Sequence, residues 1–303
     1  MNSEAQGLSR RFNRVAVLKG GVSSEREVSL RSGAAIAQGL RDGGYEVDEI
    51  DVSAKDFSLP DSIEAVFVAL HGRFGEDGEL QARLEREGIP FTGSGSTSSR
   101  VSFDKVLTRE RLIEHNVPVP RGEVIAKASD RTIPVPCVVK PPREGSSVGC
   151  HLVFKESDWE AAFSDAAWYS EEVLVEEYIA GRELTVGVLD HQVFPVVEIK
   201  PKAEWYDYEA KYVSGDTTYV CPAELDAELA EQLQAIALQT FSCLGAEGFG
   251  RVDFRLSPEN KPYVLELNAI PGFTQTSLLP KAAKAAGIGF SELCCRIMEM
   301  AHL

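Results

Sequence analysis

The chain has 303 residues, 44% of them hydrophobic and 26% charged, which is ordinary for a globular protein with room for two or three domains. Its formal net charge of −16 argues against a nucleic acid or an anionic membrane surface as the main partner. The six cysteines form no C-x-x-C pair and no apolar run approaches the ~20 residues of a membrane span, so we expect a cytoplasmic protein with reduced thiols.

The N-terminal part of the sequence alternates strands with helices. Strands are predicted at 14–21, 45–52 and 65–70. The last of these is wholly apolar, which is typical of a parallel strand covered on both faces. A capping box formed by Ser24 and Glu27 predicts a helix that runs to about Arg41, and a second helix is predicted at 79–87. This order predicts an open α/β domain whose ligands bind where strands end and loops begin.

Two polar residues lie at that edge of the predicted sheet. Glu25 falls in the first turn of the first helix, where an acid also stabilises the positive N-terminal end. His71 directly follows a strand, where an imidazole bonded to nearby backbone is an equally good interpretation. Their shared position at the carboxyl edge of the sheet favours a role in ligand binding.

The sequence between residues 93 and 120 predicts a junction between domains. GSGSTSS at 93–99 is typical of a flexible joint, and the next stretch, 102–116, is predicted to be a helix with an imperfect apolar stripe. VPVPRG at 117–122 then breaks the chain again. The domain boundary is therefore expected between about 94 and 120.

The stretch 137–149 combines a buried strand with a loop rich in glycine and serine. The strand ends in Lys140, and the loop at 143–149 offers backbone N–H and hydroxyl groups that can fold over phosphates. Lys140 is well placed to contact the same phosphates. The alternative, a solvated surface lysine, is disfavoured by the three apolar residues that precede it.

The stretch 201–223 is long, aromatic and irregular, and it contains Lys211 and Tyr212. A loop of that length in a compact domain is usually a functional lid. A packed surface loop would account for the aromatic residues but not for the extended polar content. An amphipathic helix is predicted after it, at 226–245.

The stretch 251–280 carries a metal-binding pattern. Its two predicted strands form a hairpin that places Asp253 opposite Glu266 and Arg251 opposite Asn268. Two carboxylates that face each other repel, and a divalent cation removes that penalty. Oxygens of Asp, Glu and Asn suit Mg²⁺ or Mn²⁺. The solvated face of a two-sided sheet is the alternative, but the apolar run before Glu266 favours a buried strand.

Several motifs occur in a fixed order along the chain. They are LKGGVSSEREVSL (18–30), ALHGRFGEDGELQ (69–81), KPPREGSSVG (140–149), EEYIAGRELTVGVL (176–189), YDYEAKY (206–212), GRVDF (250–254) and LELNAIPGFTQTSLLP (265–280). With these motifs the chain resembles the D-alanine–D-alanine ligases, a family of ATP-grasp enzymes, over nearly all its length from about residue 14.

The resemblance implies a mixed α/β architecture, with an ATP-grasp fold preceded by a Rossmann-like open α/β domain. It implies three regions: an N-terminal substrate-binding domain at 14–95, a central ATP-grasp subdomain at 96–182, and a C-terminal subdomain at 183–303 with the lid and the metal site. It also implies a cytoplasmic homodimer that uses ATP and two Mg²⁺ or Mn²⁺ ions. The implied reaction joins two D-alanines through an acyl phosphate, for peptidoglycan precursor synthesis.

The resemblance carries functional roles onto matching positions of this sequence. The implied nucleotide contacts are Lys105, Lys140, Ser147, Glu176, Ile179 and Glu183. The implied metal ligands are Asp253, Glu266 and Asn268. The implied catalytic groups are Glu25, Ser146, Tyr212 and Arg251, and the other implied substrate contacts are His71, Lys211, Gly272, Ser277 and Leu278.

One position departs from the family pattern and one bears on specificity. Ala269 stands where the family usually has threonine after the metal-binding asparagine, so a hydroxyl that orients the backbone is missing. Tyr212 points to D-alanine as the second substrate. The alternatives are an ATP-grasp ligase with D-lactate or D-serine as second substrate, and a non-catalytic nucleotide-binding module. The intact set of Lys140, Arg251, Asp253, Glu266 and Asn268 argues against the module.

Overall fold

The computed structural model describes residues 10–200 and 217–303. Their strands are β1 (Arg14–Gly20), β2 (Glu46–Val52), β3 (Ala65–Val68), β4 (Gly122–Ile125), β5 (Cys137–Lys140), β6 (His151–Val153), β7 (Val173–Glu177), β8 (Arg182–Leu189), β9 (Gln192–Val193), β10 (Val197–Lys200), β11 (Thr218–Val220), β12 (Phe249–Leu256) and β13 (Pro262–Asn268). Their helices are α1 (Arg26–Asp42), α2 (Glu79–Glu87), α3 (Ser96–Phe103), α4 (Lys105–Glu114), α5 (Trp159–Tyr169), α6 (Ala227–Cys243), α7 (Leu278–Ala285) and α8 (Phe290–Glu299). The predicted mixed α/β class is confirmed.

The first sheet is parallel, in the order β2-β1-β3. All four residues of β3 are buried, as its apolar sequence predicts. The predicted capping box is wrong, because α1 begins at Arg26 and its N-cap residue, Glu25, makes no side-chain cap. The Ser23 hydroxyl instead accepts a hydrogen bond from the Glu25 N–H (3.2 Å) and donates one to the His71 carbonyl (2.7 Å). These bonds tie the start of α1 to the loop after β3.

The predicted joint and helix between residues 93 and 116 are both wrong in detail. The helix α3 already begins at Ser96, inside the predicted joint. The predicted continuous helix is broken at Asp104, which is extended and accepts hydrogen bonds from the N–H groups of Val106 and Leu107. A single aspartate therefore ends one helix and caps the next, α4.

The second sheet is antiparallel, in the order β4-β7-β5-β6, with α5 packed against it. The fully buried apolar residues of its core all lie between Ile125 and Val175. This sheet therefore has a hydrophobic core of its own. The loop that joins β5 to β6 contains Ser146 and Ser147.

In the third sheet, β12 lies between β8 and β13. Its register pairs Arg251 with Asn268 and Asp253 with Glu266, which confirms the predicted hairpin pairing. The register then shifts at a bulge after Asp253. Simple alternation predicts that Leu265 and Leu267 both turn away from the site. Leu267 is buried and lines the first of the two cavities described below, and Leu265 lines the second, because the bulge moves Leu265 to the same side as Glu266.

An apolar core joins the first sheet to the C-terminal part of the chain. Phe67 on β3, Phe249 on β12 and Phe273 in the loop after β13 pack with ring centroids 5.9–6.0 Å apart. Cys294 on α8 approaches Gly39 on α1 within the same core. We call the packing of these three phenylalanine rings the apolar seam.

Most of the predicted lid, including Lys211 and Tyr212, lies outside the described residues. At its end, β11 pairs with β10. No helix in the described ranges is long and apolar enough to cross a membrane.

Candidate active site

Two adjoining cavities lie between the three sheets. The first, of about 340 Å³, opens between the carboxyl edge of the first sheet and the loop after β13. The second, of about 100 Å³, lies between the second and third sheets. Lys105, Glu144, Ser146 and Glu266 line both. A group that leaves one cavity at this shared wall therefore enters the other.

The first cavity is closed on one side by a contact between Glu25 and the β5–β6 loop. The Ser146 hydroxyl donates a hydrogen bond to the buried Glu25 carboxylate. Glycines at 72 and 145 allow this approach, since a Cβ at either would lie within 2.7–2.9 Å of the carboxylate oxygen Oε2. Ser146 and Ser147 both have positive φ, of 49° and 60°. Strain of this kind persists where the surrounding contacts hold the loop in one shape.

His71 is buried in the wall of the first cavity, where its hydrogen bonds identify its tautomer. Its Nδ1 lies 3.0 Å from the Ile270 carbonyl, which can only accept, so Nδ1 carries the proton. Its Nε2 accepts from the Ser32 hydroxyl at 3.3 Å, and that hydroxyl accepts from the Phe273 N–H at 3.1 Å. Burial lowers the pKa of His71, although the nearby Glu25 carboxylate acts the other way. The imidazole is therefore neutral at neutral pH.

The polar face of β12, with Arg251 and Asp253, joins the two cavities. Arg251 donates two hydrogen bonds of 2.8 Å to the two carboxylate oxygens of Asp253. The same carboxylate accepts from the hydroxyl of Thr185 on β8 (2.6 Å) and from the Asn268 amide (2.8 Å). Asp253 is therefore fixed from three sides. Arg251 lines the first cavity and Asp253 the second.

The donor set at this point fits a divalent cation that also binds phosphate. Asp253 and Glu266 face each other across β12 and β13, and the Asn268 amide N–H bonds to Asp253 and so leaves its own oxygen available. Among residues 10–200 and 217–303, no group of three or more His, Cys, Asp or Glu side chains could hold a metal ion. Mg²⁺ is commonly bound by one or two carboxylates together with substrate phosphates, so these residues suit it only with phosphates present.

The second cavity is lined by a buried pair of opposite charges. The Lys140 Nζ lies 2.7 Å from Glu176, and each side chain is no more than 10% exposed. Burial acts to lower the pKa of Lys140, but the nearby acidic groups, the Glu176 carboxylate foremost, together outweigh it, so this pKa is raised. Arg109 on α4 lies 3.5 Å from the same carboxylate. The Lys105 Nζ donates to the Glu144 carbonyl at 2.8 Å and lies 3.5 Å from Glu266. Lys105 thus presents a cationic group where the cavities meet, and Lys140 presents one within the second cavity.

The structure brings the predicted site residues into two groups. The first cavity is lined by Glu25, His71, Lys105, Ser146, Arg251, Glu266, Asn268, Gly272, Ser277 and Leu278. The second is lined by Lys105, Lys140, Ser146, Ser147, Glu176, Ile179, Glu183, Asp253 and Glu266. Ala269, at the position of the usual threonine, also lines the first cavity.

Four further polar residues at the site were not predicted from the sequence: Glu76, Glu144, Thr185 and Arg255. Glu76 accepts a hydrogen bond from the Gly72 N–H (2.7 Å), and burial, followed by the Glu25 carboxylate, raises its pKa well above the ordinary value. Arg255 could have been found by extending the alternation of Arg251 and Asp253 by one step. The other three have no sequence signal that separates them from ordinary polar residues.

Two family models match the chain. The model described as D-ala D-ala ligase C-terminus matches residues 106–299, and the model described as D-ala D-ala ligase N-terminus matches residues 49–94. A D-alanine–D-alanine ligase from Methylacidiphilum infernorum is 45% identical over 289 residues, which cover 95% of each chain.

Solved structures give the same result. A D-alanine–D-alanine ligase from Bacillus anthracis in complex with ATP is 32% identical and has a TM-score of 0.81, covering 95% of this chain and 97% of its own. The VanG D-Ala:D-Ser ligase from Enterococcus faecalis is 28% identical with a TM-score of 0.84, covering 96% of this chain and 99% of its own. The chain therefore has the ATP-grasp fold and belongs to the D-alanine–D-alanine ligase family.

Proposed function

We infer that this chain ligates two D-alanines to D-alanyl-D-alanine at the expense of ATP, a step of peptidoglycan precursor synthesis. The observation that carries this inference is the shared wall of the two cavities, lined by Lys105, Glu144, Ser146 and Glu266. An amino acid in the first cavity and a triphosphate in the second would meet at this wall. Phosphoryl transfer between a carboxylate and ATP requires that contact.

The residues of the two cavities suit a two-step reaction. In the first step, the carboxylate of one D-alanine attacks the γ-phosphate of ATP, and ADP leaves, so that an acyl phosphate forms. In the second, the amine of the other D-alanine attacks the acyl carbonyl, and inorganic phosphate leaves. Lys105 and Lys140 offset negative charge on the phosphates, and the Ser146–Ser147 loop offers hydroxyl and N–H donors to them.

In the amino-acid cavity, the Glu25 carboxylate binds the ammonium group of the first D-alanine, with Ser146 and Tyr212 as its hydrogen-bonded companions. Arg251 and the Gly272 N–H stabilise the oxyanion that develops when the second amine attacks. Ser277, Leu278 and Lys211 form the pocket for the carboxylate of the second substrate. His71, being neutral, offers polar contact to the substrate without adding charge.

In the nucleotide cavity, Glu176 and the Ile179 backbone contact the adenine, and Glu183 contacts the ribose. Asp253, Glu266 and Asn268 would hold one or two Mg²⁺ or Mn²⁺ ions together with the phosphates. When bound, such an ion neutralises charge on the β- and γ-phosphates. Arg251 and Thr185 keep the Asp253 carboxylate in place for this purpose.

We further propose a cytoplasmic homodimer, with three regions bounded at 14–95, 96–182 and 183–303. The described sheets support this division to within one residue, since their strands span 14–68, 122–177 and 182–268. Analytical ultracentrifugation at micromolar concentration tests the dimer.

The test of the function is phosphate release from ATP and Mg²⁺ on addition of D-alanine, with L-alanine as control. We expect release only with D-alanine, and D-alanyl-D-alanine in the mass spectrum. D-serine and D-lactate are added in parallel with D-alanine as acceptors. A mixed product at the rate of the D-alanine product would contradict the assignment of the second substrate. Tight ATP binding without release for any acceptor would contradict the ligase function.

A further inference from the structure

We propose that Arg255 is a positioning residue that sets the shape of the adenine-binding crossover, residues 178–181, and thereby sets the preference for ATP over other nucleoside triphosphates. The crossover joins β7 to β8 and lies outside both strands. This inference rests on the proposed function, because it takes the second cavity as the nucleotide site.

Arg255 holds the crossover through several groups at once. Its Nε donates to the Ile179 carbonyl (3.0 Å), and its Nη2 donates to the Gly181 carbonyl (3.1 Å). The same Nη2 lies 3.4 Å from the Tyr178 hydroxyl, and the guanidinium lies over the Tyr178 ring, 5.6 Å from its centroid. The Nη1 lies 3.5 Å from the Glu183 carboxylate. One planar group therefore fixes both ends of the crossover.

These contacts need an arginine. The carbonyls of Ile179 and Gly181 lie between two strands, so no β-ladder satisfies them, and the rigid fork of a guanidinium can reach both together with a carboxylate. The Arg255 side chain is only 11% exposed, so water does not compete freely for these bonds. A lysine, with one ammonium, could reach only part of this set.

The crossover is also held from its other side. The Tyr178 N–H donates to the Pro136 carbonyl at 3.1 Å. Among the described residues, the Ile179 N–H has no protein acceptor, and Ile179 lines the nucleotide cavity. Arg255 therefore fixes the carbonyl side of a residue whose N–H remains available to a purine edge.

The placement of Arg255 on its strand supports this role. Arg251, Asp253 and Arg255 alternate along one face of β12, at about 7 Å for each step of two residues. The first lies at the amino-acid cavity and the second at the cation position, so the third lies at the nucleoside end. Directly across from Arg255 on β8 is Glu183, the proposed ribose contact. The Arg255 guanidinium therefore positions both the Ile179 backbone on the adenine side and the Glu183 carboxylate on the ribose side.

The test uses two substitutions of Arg255 and a matched control. Arg255→Met keeps an unbranched stem and removes all donors, whereas Arg255→Lys keeps the charge. Arg182→Met is the control, because Arg182 on β8 makes a comparable set of bonds, to Glu198 and to the Glu224 carbonyl, but does not line the nucleotide cavity. Affinities for ATP and GTP are measured by calorimetry without D-alanine. The kcat, the KM for ATP and the KM for D-alanine are measured by phosphate release.

We expect Arg255→Met to weaken ATP binding about tenfold, which corresponds to ~1.4 kcal/mol. The ratio of the ATP affinity to the GTP affinity should fall, since the two nucleotides share the phosphate contacts and differ only at the base. The loss should appear mainly in the KM for ATP rather than in kcat or in the KM for D-alanine, because Arg255 lines the second cavity but its bonds go to residues 179–183 and not to the wall that the two cavities share. Arg255→Lys should recover part of the ATP affinity, and Arg182→Met should leave the ATP-to-GTP ratio unchanged.

A purely structural role predicts a different result. In that case Arg255→Met lowers the thermal stability and weakens ATP and GTP equally, as Arg182→Met does, and the proposal is overturned. If Arg255→Met does not fold, an unchanged ATP-to-GTP ratio in Arg255→Lys overturns it instead. Because the calorimetry needs no turnover, it remains decisive even if the wild-type chain shows no D-alanine-dependent phosphate release, a result that would defeat only the proposed reaction.

Discussion

The first and second sheets are joined to the rest of the chain in opposite ways. The first sheet shares the apolar seam of Phe67, Phe249 and Phe273 with the C-terminal part. The second sheet has its own core and meets its neighbours through what we call the polar seam. This seam consists of the contacts Glu25–Ser146, Arg73–Glu144, Lys105–Glu144, Arg109–Glu176 and Arg143–Asp104.

The difference between the seams has a functional meaning. Buried apolar surface is costly to expose, so the walls of the amino-acid cavity contributed by the first sheet and the loop after β13 are held in a fixed relation. In the polar seam, the ion pairs of Arg73 and Arg143 have exposed guanidinium groups, so they exchange readily with water and contribute little each. We therefore expect the second sheet to move relative to the other two when nucleotide enters or leaves, while the amino-acid cavity keeps two of its walls unchanged.

The largest effect is expected from breaking the apolar seam. Phe273→Ala removes a buried ring that contacts both other phenylalanines, and we expect it to lower the free energy of unfolding by about 3–5 kcal/mol. Trp168→Ala is the control, since Trp168 is 85% exposed and its loss should cost less than about 0.5 kcal/mol. Urea unfolding measures both. A cost for Phe273→Ala as small as that of the control would mean that the seam is not a shared core.

The next effect separates stability from function at the buried ion pair within the second sheet. Lys140→Met leaves the buried Glu176 carboxylate without its nearest cation, so we expect both a loss of stability and a fall in phosphate release of at least about 100-fold. The double variant Lys140→Met/Glu176→Gln removes both charges. It should regain stability but not activity. Recovery of both together would show that Lys140 acts only by balancing Glu176.

A smaller effect concerns pH and tests the fixed wall of the amino-acid cavity. Burial lowers the pKa of His71, so the unfolded chain binds more protons than the folded chain between that value and the unfolded pKa of about 6.5. The contribution of neutral His71 to the free energy of unfolding is therefore complete above about pH 6.5, and it is lost as the pH falls below that value. The difference in Tm between wild type and His71→Gln should be larger at pH 8 than at pH 5.5. An equal difference at both pH values would contradict the neutral, buried imidazole.

The smallest effect is expected for the exposed ion pair of the polar seam. Arg73 is 58% exposed, and its bond of 2.6 Å to Glu144 should contribute at most about 1 kcal/mol to stability, less at high salt. A double-mutant cycle with Arg73→Ala and Glu144→Ala measures the coupling. Arg86→Ala, which removes an exposed arginine of α2, is the control. A coupling of several kcal/mol would mean that this ion pair stabilises the polar seam as much as a buried phenylalanine stabilises the apolar seam, which would contradict the comparison.

Elements governed by local periodicity could be predicted from the sequence. Strict alternation gave the pairing of Asp253 with Glu266, and an apolar run gave the parallel strand β3. The bulge that turns Leu265 toward the nucleotide cavity leaves no trace in the pattern of apolar residues. The break at Asp104 arises because its side chain caps the next helix instead of continuing the previous one. Helix propensity does not distinguish these two conformations of an aspartate.

The contacts that close the site could not be predicted from local pattern. Ser146 and Glu25 are 121 residues apart, and His71 and Ile270 are 199 apart, so each contact exists only after the sheets have packed. The family resemblance supplied the roles of most site residues, and it left Arg255 and Glu76 unassigned. For the described residues, the structure adds their partners and their distances, from which the tautomer of His71 and the role of Arg255 follow.

The strand β12 constrains how a protein of this kind can diversify. One of its faces, with Val252 and Phe254, belongs to the core, and the other serves both cavities. The gain or loss of a single residue there would exchange the two faces. Substitution, which keeps both faces in place, is therefore the change that this strand should tolerate best. Changes of length, and with them new acceptor specificities, should accumulate in the loops on either side, such as 141–150 and 269–277.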